Sequence, residues 1–173
     1  MSLYCPSLDR RSKCGETMNN FLEQLVSEWY EFKGYFVRRN VRAGLLKGGG
    51  YECELDVVAF NPETKHLVQV EPSMDASSWG IREARYRKKF EAGKKHIPTL
   101  FSGLALPSEI EQIALFVFGS SKNRTTIGGG QILMISDLMR EIREEMTGRR
   151  VANAAVPEQY PILRALQFAA NYW

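Results

Sequence analysis

Apolar positions along this chain fall into two patterns. Phe21, Leu22, Leu25, Val26, Trp29 and Tyr30 recur at three- and four-residue spacing and make one face of an amphipathic helix. That helix is expected over about residues 15 to 33, with Gly34 as its stop. From residue 35 the pattern changes to short runs rich in valine and aromatic residues, which read as strands. They cover 35–41, 52–60 and 65–73. Gly48-Gly49-Gly50 turns the first into the second, and Asn61-Pro62-Glu63-Thr64 turns the second into the third. A helix follows at 81–92 and a short buried strand at 98–103. Ser108, with Glu111 three residues on, has capping-box spacing and predicts a short helix. A buried strand at 114–118, a polar glycine-rich loop at 120–130 and a strand at 131–135 come next. Leu138, Ile142 and Met146 mark a helix over 137–146. A linker at 147–156 leads to a last helix at 161–172. Helices and strands mix throughout, so the fold class is α/β with a mixed sheet.

The hairpin made by residues 52–73 carries the candidate chemistry. A turn symmetric about residues 63 and 64 sets Asp56 opposite Glu71. Directly opposed residues in an antiparallel pair have Cβ atoms roughly 4.5–5.5 Å apart. Two carboxylates that close repel unless a proton or a cation sits between them, and a hard divalent cation is held by one or two carboxylates. The two-residue period puts Gln69, Glu71 and Ser73 on one face of the later strand, and Glu52, Glu54 and Asp56 on one face of the earlier. A slip of one residue would reverse every one of these side chains. Scattered acids on a solvated sheet face are the plainer alternative.

Composition bounds the reading. The chain has 173 residues, 44% hydrophobic and 25% charged, which fits a globular domain. A net charge of +3 permits a nucleic-acid partner without demanding one. Basic residues cluster at 33–50 and again at 82–95, where Arg82, Arg85, Arg87, Lys88 and Lys89 outnumber Glu83 and Glu91. Three cysteines without metal-ligand spacing read as reduced thiols of a cytoplasmic protein. No apolar run approaches the roughly 18 residues that cross a membrane, so no membrane partner is expected. Residues 1–14 read as a flexible arm, 15–105 as the main unit, and 106–173 as a C-terminal extension packed on or completing it.

The order helix, three strands, helix, strand, with carboxylates at these positions, resembles the PD-(D/E)xK nuclease superfamily, and within it the archaeal Holliday-junction-resolvase and Mrr-like branch. The residues that carry the resemblance are Glu23, Gly34-Tyr35, the run Glu54-Leu55-Asp56-Val57-Val58-Ala59, and Val70-Glu71-Pro72-Ser73. The resemblance covers residues 20–103. It implies a restriction-endonuclease-like αβββαβ core with helices on both faces, followed by the C-terminal extension. The family pattern has a lysine where this chain has Ser73. A lysine relocated to the next helix, Lys88 or Lys89, is one resolution, with Arg82 and Arg85 as stand-ins. Loss of catalysis, leaving a module that binds nucleic acid or a protein partner, is the other.

The resemblance implies a Mg²⁺- or Mn²⁺-dependent endonuclease acting on DNA in preference to RNA. Asp56 and Glu71 would hold the metal, Glu23 would act through a water or a second metal, and Gln69 would contact that water or the phosphate. Lys88 or Lys89 would supply the missing charge. Arg38, Arg39, Arg82 and Arg85 would contact the nucleic-acid backbone. Nucleases of this fold often pair, so a homodimer follows by analogy. An unrelated mixed-sheet interaction domain is a third reading.

Overall fold

The computed structural model describes residues 20–119 and 124–173. The expected arm, the first residues of the expected first helix, Cys5, Cys14 and part of the 120–130 loop lie outside the described residues. The elements run α1 (Phe21–Phe32), β1 (Phe36–Leu45), β2 (Tyr51–Asn61), β3 (His66–Ser73), α2 (Trp79–Leu100), β4 (Glu111–Phe116), β5 (Thr126–Ile127), β6 (Gly130–Met134), α3 (Ile135–Thr147), α4 (Val151–Ala154) and α5 (Pro161–Tyr172).

The strands form one six-stranded mixed sheet in the order β1-β2-β3-β4-β6-β5. β1, β2 and β3 are an antiparallel meander. β4 joins β3 in parallel, β6 joins β4 in parallel, and β5 closes the edge antiparallel to β6. Helices cover both faces. On one, Leu25, Val26 and Trp29 of α1 pack with Val57, Ala59, Val68 and Val70, and Leu138, Ile142 and Met146 of α3 and Leu163 of α5 complete that cluster. On the other, α2 lays Ile97 on Val58, Phe60 and Leu67, and Tyr86 and Phe90 on Ala114 and Phe116.

Local chemistry explains the hairpin. Asn61 Oδ1 accepts from the backbone N–H groups of Glu63 and Thr64 at 2.9 and 3.0 Å, an Asx turn that closes the loop tightly. Lys65 takes a positive φ of 56° to finish it. The register that results pairs Val57 with Val70 and Phe60 with Leu67. One residue beyond Val57 and Val70, Asp56 comes opposite Glu71.

Three sequence expectations are corrected. Residues 98–103 are not a strand, because α2 runs on to Leu100 with Pro98 inside it. Proline removes one intrahelical hydrogen bond and normally ends a helix. Here Ile97 and Phe101 are buried against the sheet, and that packing carries the helix through. Ser108 and Glu111 do not cap a helix. Glu111 opens β4, beside Val68 of β3, and its carboxylate bonds His66 Nε2 at 2.8 Å. The linker expected at 147–156 contains the short helix α4. No helix among the described residues is long and apolar enough to cross a membrane.

Candidate functional site

Asp56, Glu71, Pro72, Ser73, Arg85, Tyr86 and Lys89 line a cleft of about 140 Å³ between the middle of β2, the end of β3 and the first half of α2. Arg85 and Lys89 stand four residues apart, one helical turn, so both point from the same side of α2.

The Lys89 ammonium lies between the two carboxylates. Its Nζ donates to Asp56 Oδ1 at 2.7 Å and to Glu71 Oε2. The Glu71 side chain is only 1% exposed and that of Lys89 is 23% exposed. Glu71 Oε1 accepts from Gln69 Nε2 at 2.8 Å and from the Asp56 backbone N–H at 3.4 Å. Each Glu71 oxygen therefore has its own donors: amides on one, ammonium on the other.

Burial penalises the Glu71 carboxylate, and the neighbouring Asp56 adds to the penalty. Lys89 opposes both, and the balance leaves the Glu71 pKa pushed up to about 8. Burial works the other way on Lys89, but the charges of Glu71 and Asp56 outweigh it and hold its pKa above the ordinary lysine value. Lys89 therefore stays an ammonium at neutral pH. Glu23, on α1, has its pKa raised by burial and then by Asp56, with Lys89 pulling the other way. The charges of the site thus reach Glu23.

Ser73 Oγ accepts from the Asp75 backbone N–H at 3.2 Å and from Arg85 Nη2 at 3.4 Å. Arg85 also binds the Asp75 carboxylate. Ser77 backbone N–H and Arg85 hold the Asp75 carboxyl at about 2. Tyr86 donates its hydroxyl to the Glu71 carbonyl at 3.2 Å and fixes the strand end against α2.

The other expected site residues separate into groups. Lys88 is exposed, and the ion pairs to Asp56 and Glu71 come from Lys89 instead. Arg82 is buried, with its guanidinium on the carbonyls of Asp75 and Phe118 and stacked over the rings of Trp79 and Phe116. Arg38 is exposed but donates to the Leu100 carbonyl at 2.8 Å. That carbonyl lies about 16 Å beyond Lys89 along α2, at about 1.5 Å per residue. Arg39 is exposed on β1. The structure thus gathers Asp56, Glu71, Gln69, Lys89 and Arg85 in one place, with Glu23 within electrostatic reach.

Sequence reading missed Gln112 and Gly93. Gln112 of β4 donates to Gln69 Oε1 at 2.8 Å. Gly93 of α2 faces the same amide, where any Cβ would overlap Gln69 Oε1. A buried polar residue in the apolar run Gln112-Ile113-Ala114-Leu115-Phe116 was the available signal for the first. Gly93 gave no such signal, because the helix expected at 81–92 stops short of it and only the structure carries α2 on to Leu100.

A hard divalent cation is compatible with two opposed carboxylates and solvent ligands. Among the described residues, no group of three His, Cys, Asp or Glu side chains converges as a metal-ligand set. The donor set suits one cation held by Asp56 and Glu71 in the place the ammonium spans. No protein-family model matches this chain, and no curated protein matches it.

Proposed function

We propose that this chain is a metal-dependent nuclease of the restriction-endonuclease-like, PD-(D/E)xK type, hydrolysing phosphodiesters of nucleic acid, with DNA as the substrate. One observation carries this reading. The Lys89 head group, supplied by the helix after the hairpin, contacts both Asp56 and Glu71 and so brings a positive charge to a site where Ser73 cannot. The element order αβββαβ and the opposition of Asp56 and Glu71 support it.

Asp56 and Glu71 would hold Mg²⁺ or Mn²⁺. A metal bound there supplies Lewis-acid polarisation of the scissile phosphate and a bound water of lowered pKa. The protein's own groups do the rest. Gln69 ties Glu71 Oε1 and leaves Oε2 turned into the cleft. Lys89, a compact cation with three donors, offsets negative charge on the phosphate oxygens as it builds. Arg85, at the cleft wall beside Ser73, takes a second phosphate oxygen. Glu23 adds negative charge on the α1 side and favours a bound cation.

A second reading has its own observation. The ammonium already satisfies both carboxylates, so the site is closed without any metal. In that reading the chain binds nucleic acid or a protein and cuts nothing.

Plasmid, branched and single-stranded DNA incubated with Mg²⁺ or Mn²⁺ separate the two. The nuclease reading expects cleavage by the wild type, and losses of at least about a hundredfold in Asp56→Ala and Glu71→Ala. Cleavage that survives both substitutions sinks the mechanism. DNA retained without cleavage on every substrate supports the silent module.

A further inference from the structure

A chain of buried amides runs behind the carboxylates, from β4 through β3 to the cleft. Gln112 Nε2 lies 2.8 Å from the Phe90 carbonyl and 2.8 Å from Gln69 Oε1. Gln69 Nε2 lies 2.8 Å from Glu71 Oε1 and 3.3 Å from the Lys89 carbonyl. Gln69 is fully buried and Gln112 nearly so, at 4% exposure.

The direction of this chain is forced. A backbone carbonyl only accepts, so the end of Gln112 that faces Phe90 must be its NH₂ group. That NH₂ also faces the near atom of Gln69, which must then be oxygen. The NH₂ of Gln69 is left facing Glu71, and the Lys89 carbonyl beside it demands a donor for the same reason. Two unflippable carbonyls on α2 thus fix both amides. Gln112 Oε1 has no partner among the described residues, so Gln112 is held through its donors alone. The side chain of Gln69 fits only because position 93 of α2 is glycine.

We propose that Gln112 is a positioning residue: by donating to Gln69 it turns the Gln69 NH₂ onto Glu71 Oε1, and so presents Glu71 Oε2 to Asp56 and to a cation held between them. Reversal of the Gln69 amide would set its carbonyl oxygen against the carboxylate and push Glu71 out of line. The role rests on the reading of Asp56 and Glu71 as the cation-binding pair, and it acts through Gln69 without touching metal or substrate.

The test uses the whole chain, Mn²⁺ alone as probe, and Gln112→Met, which keeps the volume and removes the donor. Mn²⁺ affinity, read by calorimetry, is expected to fall about tenfold, the size typical of residues that orient metal ligands. Gln69→Met is expected to lose a similar factor, and the double variant no more than either single one. Losses that multiply in the double variant, or an unchanged affinity in Gln112→Met, overturn the proposal. A second readout needs no metal. The side-chain amide signals of Gln69 in ¹⁵N-labelled protein are expected to move in Gln112→Met, and unchanged signals overturn the relay even if that variant is less stable. Absence of Mn²⁺ uptake by the wild type overturns the cation-binding reading and not the relay, which the amide signals decide by themselves.

Discussion

Lys89 is the residue on which the site balances. Without its ammonium, Asp56 and Glu71 face each other with nothing between them, and Glu71 is almost fully buried. Lys89 and Asp56 form a largely buried ion pair, with side chains 23% and 15% exposed, and removing one partner of such a pair costs about 3 kcal/mol or more. Lys89→Met is therefore expected to lose about that much stability in urea unfolding. The same substitution opens the cation position, so millimolar Mn²⁺ should restore more stability to the variant than it adds to the wild type. Equal effects of Mn²⁺ on the two proteins would show that the ammonium does not stand where a metal binds.

Glu71 makes stability depend on pH, with a defined sign. Its folded pKa lies above its ordinary value of 4.5, at about 8. The folded chain therefore keeps a proton that the unfolded chain releases. The stability this group contributes is complete below about 4.5 and is lost as the pH rises through about 8. Unfolding free energy measured between those limits should fall with pH in the wild type and flatten in Glu71→Gln. A slope that persists in Glu71→Gln belongs to another group. On the proposed nuclease reading, cleavage is expected to run the opposite way, increasing with pH as Glu71 ionises and becomes able to hold a cation.

Among the elements, α2 and α5 show how packing decides what local pattern leaves open. The basic residues of α2 recur along one helix, and a helix there is legible from the sequence. Its length is not, because Pro98 reads as a break until Ile97 and Phe101 are seen against the sheet. Likewise Ser108 and Glu111 have the spacing of a cap, but Glu111 is committed to a parallel ladder with β3. α5 begins at Pro161 with no side-chain cap of its own. Its first N–H groups are met from another helix. Glu28 of α1 is buried and accepts from Ile162 and Leu163 at 2.9 and 3.0 Å. A carboxylate at a helix N-terminus bonds orphan N–H groups and favours the helix dipole. Glu28→Ala is expected to cost about 2 kcal/mol in urea unfolding, the size of a hydrogen bond to a charged group. A loss below about 0.5 kcal/mol, the lower end for any hydrogen bond, would show that α5 is held by its apolar face alone.

At the scale of the molecule, the sheet crosses the boundary the sequence suggests near residue 105. β4 pairs with β3 along its length, and Ile113, Leu115, Leu138 and Leu163 sit in the same cluster as α1 and the hairpin. Secondary structure by circular dichroism and burial of Trp29 by fluorescence are expected to be lost in one coincident transition. Two separated transitions would mean that residues 111–173 fold as a unit apart.

The opposition of Asp56 and Glu71 was legible in the sequence, because strand period and turn symmetry are local properties and Asn61 closes the turn on its own backbone. That a basic helix follows the hairpin was legible for the same reason. Which cation enters the site was not. Lys88 and Lys89 are adjacent in sequence but about 100° apart around a helix. The choice between them depends on how α2 is rotated against the sheet. Tyr86 and Phe90 set that rotation by packing on Ala114 and Phe116, and Gly93 sets how close α2 comes to Gln69. Those contacts join residues far apart in the chain, so only the tertiary structure selects Lys89, turns Arg82 inward and brings Gln112 behind Gln69.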